Sequence, residues 1–334
     1  VRTSPNNSSP YVWLPGQGPN AGALQRLRER AFLPKQAMGE AWFMGQERRM
    51  YTALMHEDPQ QWPRSELDSA LYELSSGPAS FGPMHEWSLW FAFLLPRALE
   101  LVGRFRADAF IDRQLCAALV TATFVHFPDP EQLPAGVRRD LLDTLGRAMF
   151  APSHWSASGL AVNAFCSPMQ RLPGLHPGES LYPADAFSAS CTLIAKYLEP
   201  ECIEGWLASA LAIEDPYWRA GWVAWLAGAA PMLLDGAYPD ALPFHSEHPT
   251  AWSNSHLLQA PSALVVTGAP AASFLGSESR HALTAALRRQ LNRERLQRWG
   301  TRLSEAGAQP PDFEYFLVQY RNAARLVLDR YQLD

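Results

Sequence analysis

Lysine is nearly missing from this chain: of its 28 basic residues, only Lys35 and Lys196 are not arginine. A surplus of positive charge is missing as well. The 334 residues carry a formal net charge of −5, so nothing is left over to neutralise a phosphate backbone, and nucleic acid is not an expected partner. Cysteine is scarce. Cys116, Cys166, Cys191 and Cys202 form no C-x-x-C pair and sit in apolar stretches, as buried thiols do, so neither a disulfide framework nor a zinc ribbon is expected. No apolar run reaches the ~18 residues that a membrane helix needs, and Val1–Pro19 lacks the apolar centre of a secretory signal. The expectation is a cytoplasmic protein with no membrane contact and no cofactor.

Catalytic signatures are missing too. There is no G-x-S-x-G elbow, no G-x-x-x-x-G-K loop and no H-E-x-x-H pair. Thr267-Gly268 follows a short apolar run, but Ala271 and Ala272 stand where a dinucleotide loop needs glycine. The segment before it, Ala263–Gly268, reads equally as a lone strand or an apolar helix end.

What is present is helical periodicity along almost the whole length. It predicts helices at Ala21–Phe32, Lys35–His56, Arg64–Ser75, Met84–Phe105, Asp108–Phe127, Ala135–Phe150, Ala157–Met169, Ala184–Leu198, Cys202–Ile213, Pro216–Leu234, Glu278–Gly300 and Asp312–Tyr331. Asp215-Pro216 is an N-cap followed by proline at the first helical position. Ser65-x-x-Asp68 is a second start signal. Asp58-Pro59 and Asp129-Pro130 mark stops or turns.

These readings predict an all-α fold. Residues 1–20 are expected to be disordered, 21–235 to form a helical-repeat-like domain, 236–260 a Pro/His-rich loop, and 261–334 a helical part of the same domain. Trp87-x-x-Trp90-Phe-Ala-x-x-x-Pro96 matches Trp222-x-x-Trp225-Leu-Ala-x-x-x-Pro231 at an offset of 135 residues. That distance suits about three HEAT or armadillo units of ~40–47 residues. Stacked antiparallel helix pairs are therefore expected, either as a solenoid or as a compact α-α superhelix. Pro96 is expected to kink its helix.

The segment Phe91-Ala-Phe-Leu-Leu-Pro-Arg-Ala-Leu-Glu-Leu101 resembles the F-x-x-x-L-P-R-x-L-E-L segment of uncharacterised bacterial helical proteins. Trp252-Ser-Asn-Ser-His256 is similar to a W-x-x-S-H segment of such sequences. The resemblance covers some fifteen residues. It implies a bacterial origin and a HEAT-like helical fold, and no activity.

Three groups of residues are candidates for function. His245, Glu247, His248 and His256 have the residue types of a divalent-metal site and would serve a metal-dependent hydrolase. Against that, Pro243 and Pro249 forbid the regular helix that would fix a ligand pair on one face. Trp218 and Trp222 share a helix face with Arg219 beside them, and Trp87, Trp90 and Arg97 lie on another helix. Aromatic stripes at helical spacing normally form core; where exposed, Trp and Arg are what an interface uses. Arg280, Arg288, Arg289, Arg293, Arg295, Arg298 and Arg302 give a basic face alternating with leucines, which is either solvated or set against an acidic partner. The leading expectation is a non-catalytic scaffold that binds another protein, of the kind an immunity factor uses to block a toxin. The alternative is the metal-dependent hydrolase.

Overall fold

The computed structural model describes residues 11–40, 48–77, 83–102, 109–160, 166–168, 181–183, 185–242, 248–261, 273–306 and 313–334. Among them are eleven α-helices and three short antiparallel hairpins. The helices are α1 (Ala21–Glu29), α2 (Arg64–Ser75), α3 (Met84–Leu99), α4 (Ala109–His126), α5 (Ala135–Leu141), α6 (Asp185–Tyr197), α7 (Pro200–Ala212), α8 (Pro216–Asp235), α9 (Ser277–Gln290), α10 (Arg293–Ser304) and α11 (Phe313–Tyr331). The protein is mostly helical, as the periodicity predicts.

Over their described residues, two predicted helices are replaced by strands and turns. Lys35–His56 contains the hairpin Met38–Glu40/Arg48–Met50 and then a 3-10 turn, Thr52–Met55. Ala157–Met169 contributes instead to hairpins pairing Trp155 with Leu160 and Cys166 with Pro183. In both stretches apolar spacing coexists with glycines that favour turns, and tertiary contacts decide. Gly39 is close-packed: its N–H donates to Glu86 Oε1, which also accepts from Arg49 Nη1 at 2.5 Å. The expected single helix Glu278–Gly300 divides at Leu291, where Asn292 starts a new helix by accepting from Arg295 N. Ser65 caps nothing, because α2 begins directly after Pro63. The Asp-Pro readings fare better: Asp58 and Asp129 each accept from the N–H two residues on and open 3-10 turns.

Residues 11–20, expected to be disordered, are seated on the core. Tyr11 and Trp13 are buried, Gly18 N donates to the Phe150 carbonyl oxygen, and Asn20 caps α1 by accepting from Ala23 N. The aromatic pair explains this, since burying two large rings offsets the ordering entropy of a short strap. The strap lies on a π-helical turn, Leu142–Gly146, and Trp13 touches Gly146 there.

Helix α8 is the axis of the C-terminal half. Asp215 caps it, accepting from Tyr217 N and Trp218 N at 2.9 Å, while its other oxygen accepts from Leu160 N. Around α8 pack α9, α10 and α11, and α9 also packs on α7, so residues on both sides of 236–260 share one apolar core. Further toward the N-terminus, α2 packs on α4 and α4 on α6. No helix among the described residues is long and apolar enough to cross a membrane.

Lys196 of α6 is an instructive exception to apolar burial. Its Nζ donates to the Phe274 carbonyl oxygen at 2.5 Å and lies 4.2 Å from the Phe274 ring centre. Burial pulls its pKa down to about 8, against a smaller upward pull from Asp129. The folded value is below that of the unfolded chain, ~10.4. Between those values the unfolded state holds more protons, so stability rises with pH there; at lower pH both states are charged and this dependence vanishes. Lys196→Met is expected to raise stability at neutral pH by roughly 1–2 kcal/mol, after offsetting the lost hydrogen bond. It should also flatten the rise between pH 8 and 10. Urea midpoints across that range check this, and parallel pH profiles for the two proteins would refute it.

Candidate functional site

The two tryptophan helices turn their aromatic residues inward. Trp87, Trp90, Trp218 and Trp222 are fully buried. Trp222 makes edge-on or tilted ring contacts with Phe187, Trp206, Trp218 and Trp225 at centroid distances of 5.5–6.2 Å. Trp87 stacks on Phe91, and its Nε1 donates to the Leu74 carbonyl oxygen. These side chains form core, the reading that aromatic stripes at helical spacing favour, and none of the four tryptophans shows the exposed face on which an interface role depends. Both helices were too apolar overall for a stripe to reveal an outer face.

Arg97 and Arg219 have internal work. Arg97, 3% exposed, donates to the Phe93 carbonyl oxygen in the turn that Pro96 interrupts. It also bonds Glu57 Oε2 at 2.6 Å and stacks 3.9 Å from the Phe93 ring centre. Arg219 lies 5.2 Å over Trp299, on which Arg295 also stacks. Burial lowers both arginine pKa values. Trp90 lies beside an opening. It belongs to the wall of a cavity of about 490 Å³ rimmed by Phe32, Leu33, Lys35, His85 and Leu89, of which Phe32 is 77% exposed.

Of the histidine group, His245 and Glu247 lie outside the described residues, as does Ala263–Gly268. His248 is buried, its backbone wedged against Gly228 of α8, whereas His256 is exposed on a single 3-10 turn. The two described histidines thus occupy different environments. Among the described residues, no three His, Cys, Asp or Glu side chains are grouped as a metal site would group them.

The basic face of the C-terminal helices is mostly consumed in holding them to the bundle. Arg280 donates to the Leu234 carbonyl oxygen, Arg288 to that of Tyr331, and Arg295 to those of Gln290 and Leu211. Arg289 grips both carboxylate oxygens of Glu204 on α7 at 2.7 and 2.9 Å. Arg298 and Arg302 pair with Glu294 and Glu305. Arg293 is left over, and it faces a groove.

That groove, about 530 Å³, runs between α10 and α11. Its floor is apolar: Leu296, Ala324, Leu328 and the ring of Tyr320, whose hydroxyl donates to the Leu296 carbonyl oxygen at 2.8 Å. Burial raises the pKa of that hydroxyl, so it stays a donor. Gly300 permits the close approach, since a Cβ there would sit 3.0 Å from the Tyr320 ring. Three exposed arginines, Arg293, Arg321 and Arg325, stand along the walls against one carboxylate, Asp329. None of the three makes a side-chain ion pair or hydrogen bond among the described residues. Arg321 and Arg325 are one helical turn apart, so both project from one face of α11.

The local charge is positive. Residues 277–334 hold ten arginines and seven carboxylates, an excess of three, so residues 1–276 carry −8 to make the whole −5. The sequence reading missed Arg321 and Arg325 because they lie beyond the segment that reads as a basic helix. Their four-residue spacing beside Ala324 and Leu328 is the signal that would have found them. Comparisons with protein-family models, with curated proteins and with solved structures return no match to this chain.

Proposed function

We propose that this protein is a non-catalytic binding scaffold whose partner is a protein presenting an acidic, amphipathic segment to the groove between α10 and α11. The observation that carries this reading is the trio Arg293, Arg321 and Arg325, unpaired beside an apolar floor. An amphipathic helix laid in a groove uses apolar anchors for affinity and flanking charge for orientation. Arginine suits carboxylate recognition because its planar fork bonds both oxygens.

The stacked-pair architecture belongs to the same reading. It is supported by packing between next-but-one helices, α2 on α4, α4 on α6 and α7 on α9, as helix-pair repeats pack. The matched Trp-x-x-Trp…Pro segments add to it: in both, the tryptophans are buried and the helix carries an internal proline. Such a stack leaves its surface free for binding, and a bacterial cytoplasmic role of the immunity type is one setting for it.

The test is affinity capture from extracts of the producing cell with the wild type and an Arg293→Gln, Arg321→Gln, Arg325→Gln variant. All three side chains are exposed, so the variant should fold with an unchanged melting temperature. A partner held by the wild type should be lost from the variant and should weaken at raised salt. Identical captured sets for the two proteins would sink the proposal.

A further inference from the structure

The cavity of about 490 Å³ that Trp90 borders is built on α3. His85 and Leu89, like Glu86 and Trp90, are four residues apart, so the two pairs share one side of that helix and make one wall. Residues 32–36, which leave α1, and Arg49 of the first hairpin make the other. Glu86 ties the two walls together, its Oε1 accepting from Gly39 N and from Arg49 Nη1. The volume falls within the ~300–1,000 Å³ of small-molecule sites, which are apolar with a few polar groups.

Three observations define an occupant. The first is an orphaned donor. Trp90 is wholly enclosed, yet its Nε1–H has no acceptor among the described residues. Trp87, one turn earlier, does donate, to the Leu74 carbonyl oxygen at 3.0 Å. An enclosed N–H without an acceptor carries the full cost of its lost hydration, and the cavity beside the ring is the side from which an acceptor can be supplied. The second is an apolar mouth. Phe32, Leu33 and Leu89 are 77%, 40% and 47% exposed, and all three line this one cavity rather than being scattered singly. The third is charge. The only carboxylate in the lining, Glu86, is already engaged by Arg49, whereas Lys35 is exposed and makes no side-chain ion pair or hydrogen bond among the described residues.

An occupant that answers all three offers an acceptor, an apolar body and one negative charge. A carboxylate has acceptor oxygens enough for two donors, and the long stem of Lys35 can follow it. We infer that this cavity binds a free monocarboxylic acid with an apolar tail, its carboxylate accepting from Trp90 Nε1 with Lys35 as counter-charge and its tail against Phe32, Leu33 and Leu89. The orphaned donor lies within the wall rather than on the rim, which selects a ligand small enough to enter. The inference does not rest on the groove between α10 and α11, which lies on other helices.

Calorimetric titration of the full chain with octanoate tests it. Saturable binding is expected. Octylammonium, with the same tail and the opposite charge, and acetate, with the same head group and no tail, should each bind at least about tenfold more weakly. Trp90→Phe keeps a ring and deletes the N–H, so octanoate affinity should fall about tenfold in the folded variant, with no internal hydrogen bond lost. Lys35→Met, at an exposed position, should keep the wild-type melting temperature, weaken octanoate about threefold and narrow the gap to octylammonium. No saturable octanoate binding by the wild type would overturn the inference, as would an octanoate affinity unchanged by Lys35→Met or by folded Trp90→Phe. Tighter binding of a leucine-ended peptide with a free carboxylate, or a concentration-dependent dimer abolished by Phe32→Ser, would also overturn it, because either assigns the patch to a protein surface.

Discussion

Replacing Gly228 by alanine is expected to destabilise the protein by at least about 2 kcal/mol, although helix propensity alone favours alanine by ~1 kcal/mol. Gly228 lies inside α8, where a glycine ordinarily costs stability. Here the segment 248–250 crosses directly over it. A Cβ would overlap the His248 carbonyl oxygen, lie 3.2 Å from its carbonyl carbon and come within 2.5 Å of Thr250 Cγ2. The obstacle is backbone, so no rotamer change relieves it. The segment must lift, and with it the buried turn at Trp252–Ser255. The urea midpoint should therefore fall, and proteolysis within residues 248–261 should accelerate. A midpoint at or above wild type would show that the helix and the segment do not meet this closely.

Trp222→Ala is expected to cost about 3–5 kcal/mol, the range for deleting a large buried ring. Four aromatic neighbours surround Trp222 and would be left lining a void. Trp222→Phe should cost far less. It keeps a ring in place, and the indole Nε1 has no hydrogen-bond acceptor among the described residues to lose. This pair of variants separates core from interface. If Trp222 were a binding hot spot, both variants would lose partner affinity in the folded state while stability stayed near wild type. The expected result is the reverse: stability falls steeply for alanine, and the folded fraction of each variant captures the same set of proteins as the wild type. Denaturant curves read beside capture assays decide between the two.

Helix positions were largely readable because periodicity and punctuation are local. Asp215-Pro216 starts α8 as that pair predicts, and Gly236, at φ 75°, ends it. Failures came where local pattern had no vote. Lys35–His56 carries helical spacing, yet Glu86, distant in sequence, anchors Gly39 and Arg49 in a hairpin. The strap at Tyr11–Trp13 reads as polar linker until its two rings are seen against the core.

Function followed the same division. The sequence alone determined a mostly helical, acidic chain, rich in arginine and tryptophan and without a standard catalytic signature, because composition and short-range spacing carry that information. Only the tertiary structure decided which arginines are spent and which are free. Arg280, Arg288, Arg289 and Arg295 look the same in sequence as Arg293, yet they bind carbonyls and a carboxylate contributed from elsewhere in the chain. Likewise Asp68 reads as a helix-start residue and becomes a cavity wall only when the turn at Asn254 arrives beside it. A side chain's charge is set by its own chemistry, but whether that charge is satisfied depends on neighbours that sequence distance does not encode.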